Sequence, residues 1–532
     1  MVESVGAVRT TSVRTQDAPP LLSATLPVRA VAAWRQLRLP DWLTLALSYL
    51  TLTLLLRALL IGNPVIHIDE QFYLLVGDRM LHGAVPYVDI WDRKPIGLFL
   101  LFELFRLFPG DGVVTYQLAG VLSTVATAMV IERLSREIAP RAGAWQAGFA
   151  YILFMPVFNC VLGQAPVFFN LPVALAAWAV VDTLKRLEDP QLLWRGAGIM
   201  ALVGIAMQIK YTVVFEGVAF GTLLLGRAYA DVWSWKKLGG AALLWIAAAL
   251  APTALALGIY GAMGHADAFM QANFFSIMSR QSDGEAWWRL TKEMLVLAPF
   301  WLAIFHAPRH LAMTDGSYPR ARHVLRAWGV AAFAGFLAFG TWYDHYVGPL
   351  LAPLCILAAP ALGRQIRSEK WYARFMLGLG MIGGVVVPAY QFYHHGTPGD
   401  VEHATSLIRA ELGDGCFYMN EGDPVLYQTT NACLATSYIF PTHLAGAVES
   451  RSLGIDVEDE MRRIMARRPS VVMVGVKPLS RPANQSSRAL LMRLLDRDYE
   501  TYATISIGTR DFRLYRLKPA QPQISAQPAV DR

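Results

Sequence analysis

Between residues 42 and 393 the chain is a succession of long apolar runs parted by short polar loops, and such a pattern leaves few folds open. The first run, Trp42 to Gly62, is about 20 residues, enough to span the hydrocarbon core of a bilayer. Others follow at roughly 113–131, 143–160, 166–186, 196–211, 213–227, 238–262, 292–307, 325–341, 346–363 and 375–393. Charged residues make up only 16% of the chain, below the roughly 25% usual in soluble domains. The expectation is a polytopic α-helical membrane protein with about eleven spans.

Charge orders the spans. Arg9, Arg14, Arg29, Arg35 and Arg38 place the amino end in the cytoplasm. Alternation then puts Arg133, Arg136, Arg141, Lys185, Arg186, Arg195, Arg227, Lys236 and Lys237 inside. Arg309, Arg320, Arg322, Arg326, Arg364, Arg367, Lys370 and Arg374 follow on the same side. The outer loops 161–165 and 341–346 hold no Lys or Arg. Counting IGLFLLFELFRLF (96–108) as a span would invert this order, so it reads as a short juxtamembrane helix on the outer face. The net charge of +7 is thus a signature of orientation, which argues against nucleic-acid binding.

Residues 1–41 read as a cytoplasmic tail with an interfacial stretch near Trp34, and no cleavable signal is evident. The membrane region covers 42–393, a linker follows at 394–400, and 394–520 forms a small extracytoplasmic α/β domain before a frayed tail at 521–532. In that domain VEHATSLIRAEL and VEDEMRRIMARR read as helices. CFYM and SVVMVGV read as strands, and YETYATISIG with DFRLYRLK as a closing hairpin. Cys160 and Cys355 fall in spans as packing residues. Cys416 and Cys433 begin neighbouring strand-like runs, where an oxidising compartment permits a disulfide and a thiol pair is equally open.

Chemistry gathers on the outer side. In HIDEQFY (67–73), Asp69 and Glu70 follow the first span directly, and a carboxylate pair at a low-dielectric boundary is costly unless it binds a cation or serves as a base. In WDRKP (91–95), Asp92, Arg93 and Lys94 precede Pro95 at a helix start, where cations oppose the helix dipole unless an anion docks. Lys210 stands between two apolar runs, with Glu216 as a candidate structural partner. FGTWYDHYVGPLLAPL (339–354) brings Asp344, His345 and Tyr346 to the mouth of a span. LGQAPVFFNLP (163–172) contributes Gln164 and Asn170, and 263–291, with Asn273, Arg280, Trp287 and Trp288, reads as an interfacial stretch. Each has a bland alternative as a cap, a snorkelling side chain or a solvated loop. Together they suit a reaction between a lipid-linked anion and a hydroxyl acceptor.

The outward Asp-Glu after the first span, then GAVPY (83–87), then WDRKP, resembles the GT-C glycosyltransferases that use polyprenyl-phosphate sugars. Bacterial relatives of protein O-mannosyltransferases, including aminoarabinose and galacturonic acid transferases of lipid A, are the nearest branch. Lys210, DHYVGPLLAPL and EGDPVLYQTTNACLATSYIFPTHL are similar to later segments of that family. Departures are Ile96 after Pro95, His345 where the family often has Arg, and Asn170 near a position often acidic.

The resemblance implies an inverting transferase on the outer face of the inner membrane, with a polyprenyl-phosphate sugar as donor. The acceptor is a hydroxyl of lipid A, a glycan or a protein. Asp69 is the base, and Glu70 orients it or shares a divalent cation with it, although a monophosphate donor requires none. Lys94 and Lys210, helped by Arg93 and His345, neutralise the phosphate. Tyr87, Asp92, Tyr346 and Gln164 contact substrate. A lipid-linked-sugar flippase and a polysaccharide polymerase or ligase are the rival readings; the lack of an inverted repeat counts against the first.

Overall fold

The structure is a computed structural model, described here for residues 40–279, 282–306, 319–363 and 370–519. The amino-terminal arginines, Trp34, Arg280, Arg309, Arg364, Arg367 and the tail from 521 lie outside the described residues. The chain forms two compact units, Met1–Leu45 and Ala46–Arg532. Of the first, only residues 40–45 are described.

Helices stand where the apolar runs were expected: α1 (Asp41–Arg57), α4 (Val113–Ser135), α5 (Arg141–Val157), α6 (Ala165–Lys185), α7 (Leu192–Met207), α8 (Val214–Ala230) and α9 (Trp235–Ala262). Past these come α12 (Pro319–Ala338), α13 (Gly348–Leu362) and α14 (Lys370–His395). The run at 292–307 is instead divided between α10 (Ala286–Val296) and α11 (Ala298–His306). Among the described residues, 6 helices are long and apolar enough to cross a membrane, as suits a multi-pass membrane protein. That is fewer than the eleven spans expected. α1, α5 and α7 carry 17, 17 and 16 residues, below the ~20 that cross a bilayer without tilt or thinning.

Two short helices differ from the long ones. HIDEQFY is not a surface loop: it opens α2 (Ile68–Met80), in which residues 69–78 are all buried. IGLFLLFELFRLF forms α3 (Ile96–Arg106), too short to span, with Leu100, Leu104, Leu107 and Phe108 exposed along one side. Both helices lie at the end of the bundle that meets a sheet.

The expected linker at 394–400 is shorter than read, because His394 and His395 finish α14 and Pro398 starts α15 (Pro398–Leu412). A capping box at Thr397 and Asp400 fixes the second start. Then come β1 (Cys416–Met419), α16 (Val425–Thr430), β2 (Cys433–Leu434), α17 (Ala447–Arg451), α18 (Val457–Ala466), β3 (Val471–Gly475), α19 (Gln485–Asp498), β4 (Tyr499–Ile507) and β5 (Arg510–Leu517). They build a 5-stranded sheet of order β2-β1-β3-β5-β4. β1 runs parallel to both β2 and β3, and β4 and β5 form an antiparallel hairpin. β3 is buried along its whole length, which explains its unbroken VVMVG. A disulfide joins Cys416 and Cys433, directly opposed in the β1–β2 register.

The sheet region belongs to the same compact unit as the helices. From α2, Gln71 donates to Asp423 (3.1 Å), which also pairs with Arg510 (2.9 Å). Asn63 donates to the Gly396 carbonyl (2.9 Å), and Gln117 grips both the Gly62 amide and the Asn63 carbonyl.

Candidate functional site

Where the helices meet the sheet lies a cavity of about 440 Å³. Asp69, Lys94, Lys210, His345 and Tyr346 line it from the helical side, and Phe440, His443, Glu449 and Arg481 from the sheet side. A narrow cleft of about 20 Å³ shares Lys94, Lys210, His345 and Tyr346 with it. The cleft runs between α6, α8, α12 and α13 past Phe169, Ala332, Phe336 and Pro349.

Asp69 is placed by the amino end of α2. His67 caps that helix, its Nδ1 accepting the Asp69 N–H (3.2 Å). Gln164, just before α6, donates to Asp69 Oδ2 (3.1 Å) and stands 2.6 Å from His67 Nδ1. The loop bearing Gln164 is pressed onto α4 at Gly120, where a Cβ would come within 1.9 Å of the Leu162 carbonyl oxygen. Lys94 Nζ lies 3.7 Å from Asp69 Oδ1 and 5.1 Å from the centre of the Tyr73 ring.

Burial by itself would raise the Asp69 carboxyl, but Lys94 and the Gln164 hydrogen bond outweigh it and hold the group well below the usual carboxylate range. Burial likewise opposes the Lys94 ammonium, and Asp69 chiefly overcomes it, leaving Lys94 raised well above its ordinary value. Both members of the pair are charged at neutral pH. His67 is lowered by burial despite Asp69, so it is neutral, and its 3.8 Å approach to Asp69 is a polar contact rather than an ion pair.

The WDRKP loop is tightly specified. Asp92 accepts the Lys94 N–H (2.8 Å) in an Asx turn, and the Tyr87 hydroxyl donates to the Lys94 carbonyl (2.8 Å). Tyr87 holds a φ of 70°, a strained conformation away from glycine. Asn159 (φ 56°), on the cavity wall, and Trp342 (φ 44°), beside the wall residue Tyr343, share it. Arg93 is committed to the sheet region, pairing with Glu449 and donating to Ser452 (2.7 Å). His443 Nε2 stands 3.9 Å from Asp92, and the Trp91 amide donates to the Ser437 carbonyl (3.0 Å).

Lys210 precedes the short turn before α8, its ammonium over the rings of Tyr346 (4.7 Å) and Phe339 (5.1 Å). His345 sits between Tyr346 and His67, with ring centres at 4.6 and 5.9 Å. Asp344 is held by Lys292 (2.8 Å) and Asn159 (3.0 Å). Glu216, expected beside Lys210, lines the cleft, its Oε2 making no hydrogen bond.

Glu70 and Asn170 lie away from the cavity. Glu70 is not on the cavity wall. It points to the opposite side of α2, fully buried, with neither oxygen in a hydrogen bond of normal geometry. Burial pushes it up to about 8, although the Gly163 amide, the Tyr116 hydroxyl and the Gln164 amide stand close enough to favour the anion. Among the described residues the group that could hold an ion is His67, Asp69 and His345, whose ligand atoms lie within 4.8 Å of one another, and Glu70 is not part of it. Two imidazoles and a carboxylate suit a divalent transition metal. Asn170 is also absent from both walls; it donates to the Tyr151 hydroxyl (3.1 Å) and the Gly348 carbonyl (3.0 Å), packing α6 against its neighbours.

No model of a known protein family matches the chain, and no curated protein is similar to it in sequence. Solved structures are similar in fold. ArnT from Cupriavidus metallidurans, bound to undecaprenyl phosphate, shares 14% identity over 89% of this chain and 98% of its own, with a TM-score of 0.59. The archaeal oligosaccharyltransferase AglB from Archaeoglobus fulgidus, in complex with an inhibitory peptide and a dolichol-phosphate, shares 11% over 87% and 73%, with a TM-score of 0.53. At such identity what is shared is the architecture: the chain has the fold of the GT-C glycosyltransferases.

Proposed function

We propose that this protein is a membrane glycosyltransferase that moves a sugar from a polyprenyl-phosphate carrier to a hydroxyl acceptor with inversion. The observation that carries the reading is the pair of buried Asp69 and half-buried Lys94 (3.7 Å), which faces a cavity shared with Lys210 and His345 and opening into an apolar cleft. The polyprenyl-type phosphates bound to ArnT and AglB support the same class of ligand here. The positive-inside pattern of the loops supports an active face on the outer side of the inner membrane.

In this reading the phosphate meets Lys94, Lys210 and His345, and the isoprenoid tail leaves past the apolar mouth marked by Phe169, Phe336 and Pro349. Arg93 takes no part, being spent on Glu449. The acceptor oxygen attacks the anomeric carbon from the face opposite the phosphate. The bond to the phosphate oxygen breaks, its charge is stabilised by the two lysines, and the acceptor proton passes to Asp69. Asp69 starts as a weak base because Lys94 holds it low. A docked phosphate competes for Lys94, so the donor itself makes Asp69 more basic. Gln164 keeps the carboxylate aimed. A divalent cation on His67, Asp69 and His345 would supply further charge stabilisation for the phosphate.

The test is transfer by purified protein in detergent from radiolabelled polyprenyl-phosphate sugars to an envelope fraction. A transferase makes product without a sealed compartment, whereas a flippase does not. Near-normal transfer by folded Asp69→Asn would remove Asp69 as the base.

A further inference from the structure

Every carboxylate on the cavity wall already faces a cationic or imidazole side chain. Asp69 faces Lys94 at 3.7 Å, Asp283 faces Arg289 at 2.5 Å, Asp344 faces Lys292 at 2.8 Å, and Glu449 faces Arg93. Asp92 is turned inward, to the Lys94 amide and His443. The reverse does not hold. Arg481 lines the same cavity, is exposed, and among the described residues its guanidinium makes no ion pair or hydrogen bond. A ligand entering from the sheet side therefore meets an uncompensated positive charge and no free negative one.

The placement of Arg481 is not that of a loose surface arginine. It sits on the loop that leaves β3, and that loop is pinned from below. Glu421, 2% exposed at the end of β1, accepts the N–H groups of Leu479 and Ser480, both at 2.9 Å, and pairs with Arg488 at 3.4 Å. In the order β2-β1-β3, the chain leaves β1 to one side and returns on the other. Open α/β sheets bind ligands at the carboxyl ends of parallel strands where the order so reverses. Here that crevice is closed by Glu421 itself, and the loop it anchors carries Arg481 to the cavity.

We infer that the acceptor bears its own negative charge, a phosphate or carboxylate, and that Arg481 recognises it. The inference rests on the transferase reading, in which Lys94 and Lys210 are occupied by the donor. A guanidinium forks onto either anion with two parallel hydrogen bonds, which a lysine cannot reproduce. Arg481 is then a specificity-determining residue on the acceptor side, and Glu421 is the positioning residue for its loop.

The experiment uses the full-length protein in detergent, a panel of radiolabelled polyprenyl-phosphate sugars, and the envelope glycolipid and glycan fraction as acceptor. The fraction is offered untreated, dephosphorylated, or amidated at its carboxylates with carbodiimide. One treatment should cut incorporation about tenfold or more and so name the anion. Arg481→Gln should raise the acceptor KM by a similar factor and leave the donor KM unchanged, with Arg481→Lys between the two. Incorporation that survives both treatments, or a wild-type acceptor KM in Arg481→Gln, overturns the inference and leaves the transferase reading intact. No incorporation by the wild type into any fraction overturns both.

Discussion

Asp69 and Glu70 are neighbours in sequence, share the first turn of one helix, and live in opposite worlds. The front of that turn faces the cavity, where Lys94, Gln164 and His67 surround Asp69 and keep it ionised. The back faces packed side chains, where Glu70 is buried beside Gly163 and Tyr116 and pushed up to about 8. Successive helical residues project about 100° apart, so two adjacent acids can be turned to different surroundings. The lesson is that acidity follows from what a side chain is turned toward, and of the two acids only the front one has a cationic partner, Lys94.

The comparison can be broken most directly at the front. Asp69→Asn should lower transfer by about 10²–10⁴, the usual contribution of a general base, with the thermal unfolding profile retained. Lys210→Gln should weaken undecaprenyl phosphate binding, read by intrinsic fluorescence in detergent, by about tenfold, since one charge-assisted contact is worth ~1.5–3 kcal/mol. Gly163→Ala tests the back. Its Cβ would stand 2.6 Å from the Tyr116 ring and 2.9 Å from Glu70 Oε2, so overpacking should cost about 1–3 kcal/mol in thermal stability.

Glu70→Gln should have the smallest effect on transfer and a distinct one on pH dependence. A carboxyl raised from 4.5 to about 8 stabilises the fold below the lower value, and this contribution is lost as the pH rises through the higher one. The neutral amide carries no such loss. Thermal unfolding at pH 5 and pH 9 should therefore show the variant close to wild type at the first and relatively more stable at the second. A parallel decline of both would place Glu70 elsewhere than in a dry pocket.

Much of this was legible before any coordinates. Asp69, Lys94, Lys210, His345 and Tyr346 were singled out as polar groups at the ends of apolar runs, and all of them line one cavity. The signal is strong because an ion beside a bilayer needs a reason. Gln164 was a weak candidate in a loop, yet its amide touches both His67 and Asp69. The direction of Glu70 is not legible, because a sequence does not say which side of α2 packs inward. His67, Asn159 and Asp283 were given no role, and the wall residues Phe440, His443, Glu449 and Arg481 hid in a region read only as α/β. Their membership depends on how a sheet docks on a distant loop, which no local pattern encodes. The one available hint was the segment ending IFPTHL, whose likeness to the family named no side chain.

The clasp on the WDRKP loop has a bearing on the order of biosynthesis. Lys94 lies in the first fifth of the chain, but its loop is gripped by Ser437, His443, Glu449 and Ser452, which emerge only after the last long apolar helix. A nascent or truncated chain ending near residue 395 holds the lysines and the carboxylate but not the partners that fix them. The end of the bundle that carries Asp69 and Lys94 therefore takes its final shape only after translation has passed Ser452.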